Sequence, residues 1–302
     1  MINSITESTL KQYQGPLKLW RNFAVQNQVN VYNAKTPDII KFLTTRFNNG
    51  ASYSTLNTAR SAITLVSSRD IHKDGLISRF LKGTFKKRPT KPRYNTTWDT
   101  SSVLTYMENL HPLSQLKLRE ATEKVATLLA LTTAHRLQTL SLINVDNIVF
   151  SESGITIKIP DLIKTSKPST SQPELILPFF KEKPSLCVAS AILDYLKITK
   201  DFRTRKNKKL LISTIKPYKD ASAQTIGHWI KSLLNKAGID TKIFTAYSTR
   251  HAAVSAAFRN KINIDTIRRT AGWSARSQMF AKFYNKPILP PNDKFARSIL
   301  EN

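Results

Sequence analysis

The sequence predicts a mainly α protein with a small antiparallel β-sheet, built as two domains. Through most of the 302 residues, apolar side chains recur every three or four positions, which is the spacing of amphipathic helices. Two short segments rich in β-branched residues flank a polar loop near the middle of the chain, a pattern typical of strands joined by a loop. A basic segment with two prolines separates the two helical regions, so we expect a domain boundary there.

Positive charge dominates the composition. The chain has 47 lysines and arginines against 20 aspartates and glutamates, a formal net charge of +27 and a sequence pI of about 10.2. Such an excess attracts polyanions, of which nucleic acid is the commonest. A membrane partner is disfavoured, because no apolar run approaches the roughly 18 residues of a spanning helix and neither end carries a lipidation motif. The polar residues 1–12 lack the apolar run of a secretory signal, so we expect a protein that is not secreted.

Cysteine and histidine usage gives no sign of a metal or disulfide site. Cys187 is the single cysteine, which excludes an internal disulfide and a cysteine-rich zinc module and fits a reducing compartment. The five histidines are scattered without the spacing of metal ligands. We therefore expect no bound metal.

Residues 1–87 are predicted to form a small domain of helices. The first helix is predicted from apolar residues 10–24 at helical spacing, with Ser8 or Thr9 as its cap and a kink at Pro16. Three further helices are predicted over 36–48, 53–66 and 76–85.

Residues 88–97 are interpreted as an interdomain linker. The surrounding segment 82–93 holds six basic residues and no acidic one, and Pro89 and Pro92 block a continuing helix. We expect its cations to lie against phosphates, while a solvated loop or a nuclear import signal would have a similar composition. The candidate DNA-binding residues here are Lys86, Lys87, Arg88, Lys91 and Arg93.

Residues 98–302, a second domain with a C-terminal tail, are predicted to be mostly helical around a small sheet. Segments 154–159 and 174–177 are predicted strands because they carry β-branched residues, and the polar loop between them holds Lys164 and Lys167. Predicted helices cover 103–110, 116–132, 185–199, 222–237, 247–260 and 264–271.

Arg136 stands between two apolar helical runs in the stretch LTTAHRLQTLSLI. An arginine at such a place is costly unless an anion meets it, because an unpaired buried guanidinium costs several kcal/mol. A site arginine and an arginine paired with a carboxylate such as Asp146 fit this position equally well.

Arg250 and His251 open an alanine-rich helix in the stretch AYSTRHAAVSAAF. Residues at a helix start lie beside its exposed N–H groups, which is a natural place to hold a phosphate. A first-turn arginine that simply faces solvent fits the local sequence as well.

Tyr284 lies eleven residues after Trp273 and shortly before Pro287, which should break the local structure. Its apolar neighbours are Phe280 and Phe283. On local sequence alone, a tyrosine in such company is a core residue rather than a nucleophile.

Taken in order, these motifs resemble the tyrosine recombinase (phage integrase) family. The family pattern runs from an arginine in an apolar helical turn through a lysine on a β-hairpin loop, His-x-x-Arg and Gly-His or Gly-Trp to a nucleophilic tyrosine. The corresponding residues here are Arg136, Lys164 or Lys167, Tyr247-Ser-Thr-Arg250, Gly272-Trp273 and Tyr284. The helical first part is similar to the family's core-binding (SAM-like) domain. The motifs look most similar to recombinases of eukaryotic mobile elements of the DIRS and Crypton kind.

The resemblance implies strand cleavage and rejoining at a DNA phosphodiester. Arg136 and Arg250 would hold the non-bridging oxygens, whose negative charge grows during attack. Tyr284 would attack and form a 3′-phosphotyrosyl bond that keeps its energy for resealing, so no metal, ATP or other cofactor is implied.

Further residues are assigned by the same resemblance. Lys164, with Lys167 as second choice, would protonate the leaving 5′ oxygen. Tyr247 or His251 would handle the proton of the nucleophile, and Trp273 would donate its indole N–H to the phosphate.

Three features depart from the family pattern. Tyr247 replaces the histidine of His-x-x-Arg, Thr139 stands where the family often has a carboxylate, and the gap from Trp273 to Tyr284 is slightly longer than usual. The arginines, a loop lysine and the tyrosine are kept, so we expect an active site-specific recombinase or mobile-element integrase. The alternatives are a catalytically silent DNA-binding protein derived from such a recombinase and a type IB topoisomerase.

The expected partner is double-stranded DNA. The family implies a homotetramer on DNA. The free protein can be a monomer, and no membrane partner is expected. The expected location is the nucleus if the source is eukaryotic, and otherwise the genome in the cytoplasm.

Overall fold

The computed structural model describes residues 5–90, 94–166, 168, 171–273, 284 and 286–288. The chain divides into two compact units, Met1–Pro92 and Arg93–Asn302. This division falls inside 88–97, whose role as a linker between domains 1–87 and 98–302 stays a prediction. Each unit has its own hydrophobic core, and the only sheet among the described residues lies in the second. The predicted fold class is confirmed.

The first unit consists of helices α1 (Glu7–Gln26), α2 (Thr36–Asn48), α3 (Tyr53–Val66) and α4 (Gly75–Lys87). All four helices were predicted, although α4 is longer than expected. The predicted cap of α1 is wrong, because Thr6 rather than Ser8 or Thr9 accepts the backbone N–H of Thr9. Pro16 lies inside α1 without ending it.

Aromatic side chains form the centre of the first unit. Trp20 is fully buried, and its ring lies 5.2 Å from that of Phe42 in an edge-on arrangement. Its indole N–H donates to the Val31 carbonyl at 3.1 Å, so the polar end of the ring is satisfied as well. Burial of these rings removes large apolar surfaces from water and is the main force that holds the helices together.

The described part of the second unit contains helices α5 (Thr100–Glu108), α6 (Leu118–Thr133), α7 (Leu137–Ser141), α8 (Val188–Thr199), α9 (Ala223–Lys236), α10 (Ser248–Arg259) and α11 (Ile264–Thr270). Helix α6 is central, because it packs against α8, α9 and α10 and is buried along most of its length. It ends where Ala134 adopts a left-handed conformation with φ +49°. That turn places Arg136 immediately before α7.

A three-stranded antiparallel sheet completes the second unit, in the order β1 (Ile148–Ser151), β2 (Gly154–Lys158) and β3 (Glu174–Pro178). The two predicted strands are β2 and β3, paired with Ile157 opposite Leu175. Strand β1 was not predicted, because only Ile148 of its four residues is buried and no alternation marks it.

In the described part of the chain, no helix combines the length and the apolar character needed to cross a membrane. Among the same residues, no group of three or more histidine, cysteine or carboxylate side chains is arranged to hold a metal ion.

Candidate active site

Arg250 is fixed at the centre of the site by two backbone carbonyls. It lies in the first turn of α10 and is only 1% exposed. Its two terminal nitrogens each donate at 2.7 Å, one to the carbonyl of Ala134 and the other to that of Ala271. The guanidinium therefore joins the carboxyl-terminal ends of α6 and α11, whose carbonyls are otherwise unpaired acceptors. The alternative of a solvated first-turn arginine is wrong.

Arg136 reaches the same site from the turn before α7. Its side chain is half-buried and forms no hydrogen bond or salt bridge with any described residue. The alternative pairing with Asp146 is therefore not formed. Burial lowers the pKa of Arg250, and the like charge of Arg136 lowers it further, so the two cations lie close enough to repel each other.

Tyr284 packs into this cationic pocket and is 3% exposed. Its ring stacks on the His251 imidazole, with centroids 4.2 Å apart, and lies 4.7 Å from the Trp273 ring. The Arg250 guanidinium carbon lies 5.5 Å from the centre of the tyrosine ring. Residues that are distant in sequence thus meet around one phenol.

Tyr247 provides the hydrogen-bond partner of that phenol. The two hydroxyl oxygens are 2.6 Å apart, and Tyr247, just before α10, is 43% exposed. Burial raises the pKa of Tyr284 to about 12, and the hydrogen bond and proximity of Tyr247 contribute to this rise. The charges of Arg250 and Arg136 act in the opposite direction, towards the phenolate.

Hydrogen bonds to Ser255 and Tyr94 hold the backbone around Tyr284 in place. Its carbonyl accepts from the Ser255 hydroxyl at 2.5 Å, and that hydroxyl in turn accepts the Lys286 N–H at 3.2 Å. The Lys286 ammonium donates to the Tyr94 carbonyl at 3.0 Å. The Tyr94 ring also meets the His251 imidazole edge-on at 5.4 Å, so residue 94 contacts both His251 and the segment that follows Tyr284.

Trp273 lies directly over the guanidinium of Arg250, 4.8 Å from its carbon. Its indole N–H is buried, and no described residue accepts it. This leaves a buried donor beside Arg250, and its donation to a phosphate stays a prediction. His251 also lies within the site, stacked on Tyr284. Its position next to Arg250 in sequence did not show whether its side chain would face the site.

Lys164 makes no hydrogen bond or salt bridge with a described residue of the site. Its side chain is exposed in a turn that follows β2. Its neighbours Thr165 and Ser166 line a cavity of about 520 Å³, together with Trp273 and His135. Its role as proton donor stays a prediction. Three other candidates, Lys91, Arg93 and Lys167, lie outside the described residues.

Lys86 and Lys87 are exposed in the last turn of α4, as a DNA-binding role requires. Arg88 also has a role within the first unit, because it donates to the carbonyls of Phe47 and Ala51 at 3.3 and 3.0 Å. Its guanidinium lies 4.2 Å from the centre of the Phe47 ring.

Two site residues were missed by the sequence analysis. Ser255 lies in the alanine-rich stretch after Arg250, and nothing in its spacing distinguishes it from other small residues of α10. His135 is buried directly before Arg136, and burial together with the charges of Arg250 and Arg136 lowers its pKa to about 4. Its adjacency to a site arginine was the available signal.

Comparison with family models identifies both units. The model of the phage integrase family matches residues 99–287, and that of the phage integrase N-terminal SAM-like domain matches residues 3–66. The chain belongs to the phage integrase family. Members of this family are tyrosine recombinases, which cut and rejoin DNA strands.

Solved structures of other phage integrase family proteins share the fold. A lambda integrase(75-356) dimer bound to a COC′ core site is similar with 14% identity and a TM-score of 0.57, over 93% of this chain and 89% of that one. The XerH recombinase in a post-cleavage complex with a palindromic difH substrate is 13% identical, with a TM-score of 0.62. The match covers 96% of this chain and 77% of that one. The Tn1549 transposon integrase in complex with circular intermediate DNA is 13% identical, with a TM-score of 0.53. The match covers 90% of this chain and 87% of that one. At such low identity the likeness shows the fold alone. No curated protein sequence gives a significant match.

Proposed function

We propose that this phage integrase family protein cleaves and rejoins DNA at specific sites through a covalent bond between Tyr284 and a 3′ phosphate. The observation that carries the proposal is the group of Arg250, Arg136 and Tyr284. Two arginines that have no carboxylate partner among the described residues meet around a phenol. An anionic phosphodiester would supply the missing negative charge and bring its phosphorus to the nucleophile.

The arginines would stabilise the charge that develops during attack. Arg250 is held by two carbonyls, so its remaining N–H groups are preorganised rather than free to rotate. Arg136 is not held by any described partner and can close on the second non-bridging oxygen. The indole N–H of Trp273 is a third donor at the same place.

The phenol of Tyr284 must lose its proton as the P–O bond forms. Tyr247 is its direct hydrogen-bond partner and is exposed, so it can pass its own proton to water while it receives that of Tyr284. His251, stacked on the ring, would fix the plane of the phenol. The departing 5′ oxygen needs a proton in return, for which Lys164 and Lys167 are the candidates on the hairpin loop.

Double-stranded DNA is the proposed substrate, as the bound DNA of similar structures and the +27 charge support. Lys86, Lys87, Lys91 and Arg93 would contact its phosphates from the segment around the domain boundary. A homotetramer on DNA, a source among mobile elements of the DIRS or Crypton kind, and a nuclear location in a eukaryote are further parts of this proposal.

A trapping experiment tests the enzyme activity. The sites that the protein nicks in a random DNA library are mapped first, and a nicked suicide duplex is built on the recovered site. The wild-type protein should leave a covalent 3′ adduct, and Tyr284→Phe should abolish it while DNA binding persists. Tyr32→Phe, which alters an exposed tyrosine of the first unit, is the matched control and should keep the adduct.

A catalytically silent DNA-binding protein is the second candidate. The observation that favours it is Tyr247 in place of the family histidine. DNA binding without any nick in the random library would support this candidate and exclude the enzyme.

A further inference from the structure

The segment 200–220, between α8 and α9, is strongly basic. It holds eight lysines and arginines and only two aspartates. Two of the cations, Arg203 and Lys209, have partners within the chain. The other six are exposed and form no salt bridge with any described residue: Lys200, Arg205, Lys206, Lys208, Lys216 and Lys219. Because like charges repel each other, such a group is expected where an anion binds.

Arg203 and Lys209 fix the first half of this segment. The Arg203 guanidinium donates to the Thr199 hydroxyl at 3.0 Å and to the Lys209 carbonyl at 2.8 Å. The Lys209 ammonium donates to the Leu142 carbonyl at 3.3 Å and pairs with Asp161 at 3.8 Å. The residues between these two cations are therefore held at both ends.

Asn207 joins two loops of the segment, 204–208 and 216–219, which we call the basic loop pair. Its amide oxygen accepts from the backbone N–H of Thr204 at 2.8 Å and from the Thr204 hydroxyl at 3.0 Å. Its amide nitrogen donates to the Tyr218 carbonyl at 2.9 Å. The exposed cations are thus presented from a fixed surface rather than from a freely moving chain.

The basic loop pair encloses a cavity of about 470 Å³, lined by Lys206 of one loop and Lys219 of the other. Asp220 lines the same cavity, but its two oxygens accept from the Asn207 amide at 3.1 Å and from a backbone N–H of the first loop at 3.4 Å. These hydrogen bonds partly balance the carboxylate. A phosphate at this cavity would meet ammonium groups from both loops.

The basic loop pair is connected to the arginine site through α7. The Lys208 carbonyl accepts from the Val145 N–H at 2.9 Å, and the Leu210 N–H donates to the Ile143 carbonyl at 2.8 Å. Ile143 and Val145 follow closely after α7, which begins directly after Arg136. A helix of this length spans only about 8 Å, so one duplex can meet both Arg136 and the loop pair.

We propose that the basic loop pair is a second phosphate-binding site for the duplex, outside the cleavage pocket, with Lys206 and Lys219 as its main contacts. This inference rests on double-stranded DNA as the proposed substrate and deepens it. Binding would release counterions from the DNA, and a fixed surface loses little conformational entropy when it binds. The site would hold the duplex in register with Arg136 and Arg250 before Tyr284 attacks.

The salt dependence of DNA binding tests this site. All proteins carry Tyr284→Phe, so that no adduct forms, and the probe is a duplex with the mapped site, or one of random sequence if no site is recovered. Each lysine–phosphate contact contributes about 0.9 to the slope of log K against log salt. Lys206→Gln/Lys219→Gln should therefore flatten that slope by about two and weaken binding by about 60-fold at about 0.1 M salt.

Lys183→Gln/Lys197→Gln is the matched control. It removes the same amount of charge, but from lysines that are paired with Glu108 and Asp194. The slope should stay at the wild-type value. If the control weakens binding as much as Lys206→Gln/Lys219→Gln does, net charge explains the effect and the proposal is overturned.

Asn207→Ala separates position from charge. It keeps every cation but removes the hydrogen bonds between the two loops, so binding should weaken about 3- to 10-fold through lost preorganisation. Urea unfolding of the same variant shows whether the second unit remains folded. Wild-type affinity in this variant would overturn the role of the fixed surface.

Methylphosphonates, which replace single phosphates of the duplex by neutral groups, locate the contact. Wild-type binding should be sensitive at phosphates away from the cleaved one, and Lys206→Gln/Lys219→Gln should lose that sensitivity. Loss at the cleaved phosphate alone would overturn a separate site.

Wild-type DNA affinity of Lys206→Gln/Lys219→Gln would also overturn the proposal. If this variant at the same time lost affinity for a single-stranded RNA, the surface would be assigned to RNA instead. None of these measurements uses the adduct. Failure of the loop pair therefore leaves cleavage by Tyr284 intact, and failure of cleavage leaves the binding test valid.

Discussion

Glu123 and Arg250 are both buried charged residues of the second unit, but only Glu123 has partners of opposite charge. Glu123 on α6 is 2% exposed and accepts from Arg119 at 2.6 Å and from Lys236 at 2.9 Å. Burial by itself raises the pKa of this carboxyl, but hydrogen bonds from Lys236 and Arg119 outweigh burial and hold the pKa below its ordinary value. Arg250 is as deeply buried, yet its neighbour is the like charge of Arg136.

The difference separates a structural ion group from a binding site. At Glu123 the chain supplies both signs of charge, so nothing further is needed to neutralise the group. At Arg250 it supplies cations and carbonyl dipoles, and the described residues contribute no anion to the pair. Since an uncompensated buried charge is costly, such a group is expected where a ligand brings the opposite charge.

The largest expected effects concern the two arginines. Arg136→Ala should slow adduct formation by about 10²- to 10³-fold, because one of the two charged donors to the phosphate is lost. Stability should stay within about 0.5 kcal/mol of wild type, because no described partner is left behind and repulsion with Arg250 is relieved. Suicide-substrate kinetics and urea unfolding measure the two quantities.

Arg250→Ala should be compared with Arg136→Ala in the same two measurements. It should lose adduct formation and stability together, because the carbonyls of Ala134 and Ala271 lose their donor. If Arg136→Ala is destabilised as much, Arg136 has a structural partner and the contrast with Glu123 fails.

Glu123 should show the reverse pattern. Glu123→Ala should lower the free energy of unfolding by about 2 kcal/mol, since it removes two charge-assisted hydrogen bonds. The loss is moderate because Arg119 and Lys236 are partly exposed and can turn to water. Adduct formation per folded molecule, measured below the unfolding range, should remain at the wild-type rate. A large fall in that rate would mean that the ion group also supports catalysis.

The last effect, similar in size to that of Glu123→Ala, is a pH dependence of stability. The pKa of His135 is depressed to about 4, mainly by burial and then by Arg250 and Arg136, while the unfolded chain binds the proton near the ordinary 6.5. Its contribution to stability is therefore full above pH 6.5 and is lost as the pH falls towards 4. Between pH 7 and pH 5 the loss should be about 2 kcal/mol.

His135→Gln cannot titrate and is the reference for this measurement. Urea unfolding of both proteins at the two pH values gives the difference. An equal loss in wild type and variant would show that folding leaves the pKa of His135 near its ordinary value.

Local sequence was sufficient for most helices. The predicted second and third helices agree with α2 and α3, because their ends are set within a few residues, by Pro37 and Asn49 in α2 and by the Ser52 cap in α3. Strand β1 was missed, since its place is set by pairing with β2 rather than by its own pattern. The same limit applied to the cap of α1, where several neighbouring hydroxyl residues were equally suitable by type.

The sequence by itself determined the two-part helical organisation and the order of Arg136, Arg250, Trp273 and Tyr284, because periodicity and motif order are written along the chain. Only the tertiary structure decided what surrounds them. The phenol of Tyr247 opposite Tyr284, the carbonyls on Arg250 and the position of His135 arise where α6, α10 and α11 meet. Such contacts join residues more than 20 positions apart, and the packing that creates them leaves no local pattern in the sequence.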